Sequence, residues 1–265
     1  MRPRSIAVDF RVFSVTAFFL ILLLGPARAG AWLLPKGKGL LILSTTMISS
    51  GRAFDADGNP VAIPRYSKFE TSAWVEYGLT DRFTLVFRPQ FRSERLGKPF
   101  DLAYSGLGDT ALGVRIGLWS GRDTVFSLQS MLRIPGNPRI DGSQFETEVR
   151  ALYGRSYRLG AWPAFIDSEL AYRFRGGAAP DEVRSDVTFG VKPRPDLTFM
   201  AQAFSTFSIG GAGRYYATGW EYKAALSLVW DFAKNWSVQV GGIATVAGMN
   251  ALQERGYFAA IWKRF

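Results

Sequence analysis

Phe69-Glu70-Thr71-Ser72-Ala73-Trp74-Val75-Glu76-Tyr77 changes character at every step. Phe69, Thr71, Ala73, Val75 and Tyr77 fall on one side of an extended chain, and Glu70, Ser72, Trp74 and Glu76 on the other. Successive side chains of a strand point to opposite faces, so the stretch reads as a β-strand between two unlike environments. It lacks the three- and four-residue spacing of an amphipathic helix.

The alternation recurs along the chain. Phe83, Leu85, Phe87 and Phe91 oppose Thr84, Arg88, Gln90 and Arg92; Leu112, Val114, Ile116 and Leu118 oppose Gly113, Arg115 and Gly117; Phe126, Leu128, Leu132 and Ile134 oppose Gln129 and Arg133. Phe145, Thr147, Val149, Ala151 and Tyr153 face away from Glu146, Glu148 and Arg150, and Ile166, Leu170, Tyr172 and Phe174 from Asp167, Glu169 and Arg173. Val183, Val187, Phe189 and Val191 oppose Arg184, Asp186, Thr188 and Lys192, followed by segments around Phe199–Phe207, Trp220–Asp231 (with Glu221 and Lys223 on the polar side) and Trp236–Val246. With a first strand near Gly39–Ile48 and a last at Arg255–Phe265, the count is about 12. An even number suits a closed antiparallel barrel with both termini on the periplasmic side. Short turns at Leu79–Arg82, Ser120–Asp123, Arg158–Pro163, Pro193–Asp196 and Ala233–Asn235 alternate with longer connections, of which Ser49–Tyr66 is expected to be the longest extracellular loop.

The N-terminus carries Arg2, Arg4 and Arg11, an apolar run from Val12 to Leu24, and Ala27-Arg28-Ala29 after Gly25-Pro26. That tripartite pattern is a secretory signal peptide cleaved after Ala29, since the run is too short for a membrane helix. The domain reading is residues 1–29 as signal peptide and 30–265 as one barrel. Removing 1–29 takes away four basic residues and one acidic one, leaving 28 against 21 in 236 residues, a net charge of +7. The charges are scattered, so nucleic acid is not an expected partner. Cysteine and histidine are both absent. This excludes disulfides, thiolate metal sites and a lipidated N-terminal cysteine, together with any Ser-His or Cys-His nucleophile.

Strand ends repeatedly carry aromatics, namely Tyr77, Phe83, Tyr153, Phe174, Phe207, Trp220, Trp230 and Trp236. Aromatic girdles at both edges of an outward apolar band mark a transmembrane barrel rather than a soluble sandwich. The final strand, Tyr257-Phe258-Ala259-Ala260-Ile261-Trp262-Lys263-Arg264-Phe265, ends on Phe and resembles the signal read by the outer-membrane barrel-assembly machinery. Lys263 departs from that pattern, at a position where its charge can stay in water while its stem remains in the apolar zone.

At Val75-Glu76-Tyr77-Gly78-Leu79-Thr80-Asp81-Arg82-Phe83, Gly106-Leu107-Gly108-Asp109-Thr110-Ala111-Leu112-Gly113 and Met131-Leu132-Arg133-Ile134-Pro135-Gly136 the chain resembles the outer-membrane transporters named for the phenol meta-cleavage pathway. Its start, Ala31-Trp32-Leu33-Leu34-Pro35-Lys36-Gly37-Lys38-Gly39, resembles the XagA-like members, and the resemblance spans roughly residues 30–136. It implies a passive pore for small compounds, aromatic or apolar ones among them. The family's phenol label does not carry over to this chain.

The face opposite the apolar one holds Glu70, Arg88, Arg92, Arg115, Arg133, Glu148, Arg150, Glu169, Arg173, Arg184, Asp186, Glu221 and Lys223. In a barrel these line the lumen, as a charged path for solutes or as ion pairs that fill it. Glu146 with Glu148, and Asp167 with Glu169, have the spacing of a carboxylate pair, but Arg150 and Arg173 on the same faces favour ion pairing over catalysis. Asp55-x-Asp57-x-Asn59 resembles the start of a calcium loop, yet Pro60 replaces the required Gly and Tyr66 the bidentate Glu, so it reads as a turn. Gly106-x-Gly108 lacks the Lys-Ser/Thr of a phosphate loop.

The expectation is a monomeric, cofactor-free, non-enzymatic outer-membrane barrel in contact with lipid, passing small solutes. The alternative is a plugged scaffold acting through loops at Ser49–Tyr66, Arg95–Tyr104 and Ile209–Ala217.

Overall fold

In the computed structural model, which describes residues 30–136, 145–176, 179–210 and 217–265, every regular element is a strand. The signal-peptide reading and most of the Ile209–Ala217 loop lie outside these residues. The strands are β1 (Gly39–Phe54), β2 (Pro60–Gly78), β3 (Phe83–Arg88), β4 (Gln90–Leu96), β5 (Leu102–Leu107), β6 (Thr110–Ser120), β7 (Thr124–Ile134), β8 (Glu146–Leu159), β9 (Trp162–Arg175), β10 (Asp181–Arg194), β11 (Leu197–Ile209), β12 (Trp220–Ala233), β13 (Trp236–Met249), β14 (Ala251–Leu252) and β15 (Arg255–Arg264).

Each pairs antiparallel with its neighbours, and β1 pairs with both β2 and β15, which closes the sheet. Two spanning strands are interrupted. Pro89, which has no N–H to donate, separates β3 from β4, both paired with β2. Gly108-Asp109 separates β5 from β6, and the chain is held there by Gly108 N–H donating to Gln90 O (2.8 Å) and Asp109 N–H to Gln90 Oε1 (3.2 Å). Counting each interrupted pair as one and setting aside the two-residue β14, the barrel has 12 strands.

The outward face is apolar over the strand centres, with Leu85, Leu112, Leu128, Leu170, Leu226 and Val240 all exposed. Aromatic ring contacts gather at both ends of this band. Trp119, Phe126 and Tyr153 meet near the short turns, while Phe207, Tyr222 and Trp220 meet at the opposite end. Two aromatic belts around an apolar band fit a wall that crosses a membrane. Lys263 lies over the Trp236 ring, 4.3 Å from its centroid. That cation–π contact accommodates the charge on a strand otherwise suited to lipid.

The five expected short turns all lie at the end where β1 begins and β15 finishes, where Gly39 N–H donates to Phe265 O and Phe265 N–H to Gly39 O. The opposite end corrects one expectation. Ser49–Tyr66 is not a long loop: β1 continues to Phe54, β2 begins at Pro60, and only a turn joins them. Asp55 Oδ1 closes that turn by accepting the N–H groups of Asp57 (2.9 Å) and Asn59 (2.8 Å). Pairing survives the prolines because Pro60 opens its strand and Pro64 falls in a register shift between Ser50/Arg52 and their partners, where no ladder donor is required. Arg95–Tyr104 likewise narrows to residues 97–101 between β4 and β5.

Candidate functional site: the barrel lumen

The chain ahead of β1 turns back into the barrel. Gly37 N–H donates to Gly78 O (2.8 Å) and Lys38 N–H to Pro35 O (3.0 Å), and from this bend residues 34 to 30 run up the lumen. Leu34 N–H reaches Thr84 Oγ1 (3.4 Å), the carbonyl of Trp32 accepts from Arg115 Nη1 (3.4 Å), and the carbonyl of Ala31 accepts from Ser127 Oγ (2.9 Å). Ala31 N–H donates to Asp167 Oδ2 at 2.7 Å. The wall has made room for this segment. A Cβ at Gly117 would overlap Leu33, and one at Gly154 would press on the Trp32 ring at 2.8 Å.

Above the segment the inward faces of β7 to β10 carry a lattice of opposite charges. Arg133 stands opposite Glu146, Glu146 opposite Arg175, Glu148 opposite Arg173, Arg173 opposite Glu182, and Glu169 opposite Asp186. Directly opposed residues on one face are in reach of each other, so strand register sets most of the ion pairs. Arg173 binds Glu148 (2.7 Å) and Glu182 (3.2 Å), Arg175 binds Glu146 and Glu182 (both 2.9 Å), and Arg133 binds Asp109 (2.9 Å). Arg150 resolves the one like-charged opposition, since its guanidinium contacts Glu169, Asp186 (2.6 Å) and Glu148 (2.9 Å) together. Lower down, Arg115 binds Glu76 (2.7 Å) and Gln129 (2.8 Å) in near-complete enclosure.

The remaining predicted residues are distributed around the wall. Glu70 pairs with Lys68 (3.5 Å), Lys223 with Glu221 (3.0 Å) and Glu254 (2.8 Å), and Arg92 lies over the Tyr104 ring (5.4 Å). Arg88 and Arg184 differ. Among the described residues neither has a carboxylate at ion-pair distance, and the Nε of each is buried without a hydrogen-bond partner. Both are within electrostatic reach of Arg173, and Arg88 of Arg133 as well. Carboxylates also act on them at longer range, Glu70 on Arg88 and Asp186, Glu148 and Glu182 on Arg184, so the two guanidinium groups face the lumen from β3 and β10 without a direct partner.

Period-two reading put Trp74 on the inner face but did not single out the other aromatics of the lumen. Trp74, Phe165, Phe204, Phe258 and Trp262 border a cavity of about 410 Å³ that Glu76, Arg115, Asp167 and Glu169 border as well, and Trp74 Nε1 donates to Glu76 Oε1 at 2.9 Å. A lumen is not bound to be polar at every position, so large apolar residues on the inner face break no rule of the fold. Phe165 and Phe258 are seated by glycines: a Cβ at Gly190 or Gly241 would overlap their rings or press closely on them. Phe-Gly combinations at paired strand positions are the sequence signal that could have located these two rings.

A closed antiparallel sheet with an outward apolar band, two aromatic belts and a charged interior defines a transmembrane β-barrel of the bacterial outer-membrane type. No family model and no curated protein matches the chain. Among solved structures it is similar to an outer-membrane channel from Pseudomonas putida F1, at TM-score 0.74 and 15% identity, over 91% of this chain and 100% of that one. The NanC porin matches at TM-score 0.52 and 11% identity, over 83% and 98%. The translocator domain of the autotransporter NalP from Neisseria meningitidis matches at 0.52 and 9%, over 96% of each chain. These likenesses establish the barrel fold.

Proposed function

We propose that the barrel is a passive channel for small solutes with an apolar, often aromatic, body and an anionic group. The observation that carries this reading is the mixed lining of the lumen, in which aromatic and charged side chains border one cavity. Unpaired Arg88 and Arg184 would attract an anion entering from the far end, and the aromatic cavity would receive its apolar part. The similarity to a solved outer-membrane channel supports passage as the role.

Export rests on the reading of 1–29 as a cleaved signal peptide, insertion on recognition of the last strand ending in Phe265 by the assembly machinery, and the working unit on a single chain. The test is planar-bilayer conductance and liposome uptake of the refolded mature protein, comparing benzoate-like anions with neutral sugars of similar size. Uptake of the aromatic anion ahead of the sugar supports the reading, whereas a folded barrel that passes neither overturns it. The inserted segment favours a second reading, a filled scaffold acting through its loops. Among the described connections, those at 55–59 and 97–101 are short turns.

A further inference from the structure

Asp167 is 5% exposed, yet among the described residues no Lys or Arg side chain lies at ion-pair distance from it. The two nearest candidates are committed elsewhere: Arg150 to Glu148, Glu169 and Asp186, and Arg115 to Glu76 and Gln129. It accepts the amide N–H of Ala31 and lies against the carboxyl group of Glu169, with no cation between the two. Glu169, two residues along the same face, borders the same cavity, so this part of the lumen has a surplus of negative charge. A buried carboxylate in such surroundings calls for a cation.

The residue packed against that carboxylate is Gly30. A Cβ there would overlap the Asp167 carboxylate itself, so the position admits glycine alone. Gly30 is also the residue that follows the expected cleavage site. Hydrolysis of the Ala29–Gly30 bond leaves the carboxylate on Ala29 and an amine on Gly30, which takes up a proton at neutral pH.

We propose that the α-ammonium group of Gly30, formed when the signal peptide is removed, is the counter-ion of Asp167 inside the lumen. The site is thus an ammonium-binding site whose ligand is the protein's own new terminus. Asp167 holds the ammonium and the Ala31 amide, while Ser127 and Arg115 hold the next two carbonyls. The groups facing the ammonium are Asp167 and Glu169 of β9, Glu76 of β2 and Arg115 of β6. A chain cut at this bond presents its charge beside Asp167, at the cavity that Gly30 borders. The inference rests on removal of 1–29 and is independent of whether solutes pass.

The experiment uses protein purified from outer membranes. Its intact mass first establishes whether the chain begins at Gly30; any other start overturns the proposal while leaving the channel reading intact. The folded protein is then treated with an acetylating ester at fixed pH, and modification of the Gly30 amine is followed by peptide mass spectrometry, with exposed Lys36 and Lys38 as internal references. Each unit by which an ion pair raises the ammonium's titration lowers the reactive amine fraction about tenfold. We expect Asp167→Asn to accelerate acetylation at Gly30 by about that factor and to leave both lysines unchanged. Equal rates in the two folded proteins, whether fast or slow, overturn it. Should Asp167→Asn fail the heat-shift test for folded barrels, a chain retaining Ala29 serves instead. Its terminal amine is expected to react fast, and a rate as slow as that of the Gly30 amine overturns the proposal.

Discussion

Arg115 Nη2 donates to Glu76 Oε1 at 2.7 Å where the two side chains are only 1% and 2% exposed, so each is the other's replacement for water. Removing one partner of such a pair leaves an uncompensated charge, at a cost of about 3–5 kcal/mol. Arg115→Met or Glu76→Met should each lower stability by that order in urea titrations of the detergent-folded barrel. The double substitution should recover much of the loss, because two apolar side chains leave no stranded charge.

Arg150→Ala removes the cation shared by Glu148, Glu169 and Asp186. The lumen then gains unscreened carboxylates, and reversal potentials in a salt gradient should shift toward cation preference. Arg88→Gln should shift them in the same direction by a smaller amount, since it deletes one unpaired cation.

Gly154→Val places a side chain where the Trp32 ring sits, on a wall position that is otherwise undisturbed. It should expel residues 30–34 from the lumen and raise conductance while strand content by circular dichroism stays unchanged. Deletion of 30–36 should give the same rise, and a conductance equal to wild type in both would show that the segment does not obstruct the pore.

Phe204→Ala and Trp262→Ala enlarge the aromatic cavity and strip its apolar surface. Liposome uptake of aromatic anions should fall, with uptake of small inorganic ions unchanged or raised. The split between the two readouts separates recognition of the solute body from simple widening.

The outward face was readable from sequence because the bilayer asks the same thing of every strand. Phe69, Leu85, Leu112 and Val240 are apolar for one shared reason, and alternation follows at once. The inner face obeys no single rule. Glu148 and Arg173 were legible as charges opposite a lipid face, but their pairing depends on β8–β9 register, which period two alone leaves open. Phe165 and Phe258 point inward against the simple polarity rule, and the bulk-for-glycine exchange with Gly190 and Gly241 marks them, whereas no such exchange marks Phe204 or Trp262.

The Ser49–Tyr66 misreading has a similar origin. Gly51, Gly58, Pro60 and Pro64 are strong local punctuation, and sequence gives no sign that a register shift absorbs Pro64 while Asn250 N–H and Gln253 N–H pin the hairpin from the neighbouring connection. The inserted segment was missed because Trp32-Leu33-Leu34-Pro35 follows no strand or helix period. Gly117 and Gly154, inward positions without side chains, were its available trace.

The bend at Gly37 has a consequence for the order of events in assembly. Residues 30–36 enter the lumen from the same end at which β1 meets β15, and they end inside it. With residues 1–29 removed, as proposed above, the tail is tucked and not threaded, and no strand must open for it to come or go. Wall closure and lumen filling are therefore two separable steps in time, and a barrel can be sealed against the bilayer while it is still hollow.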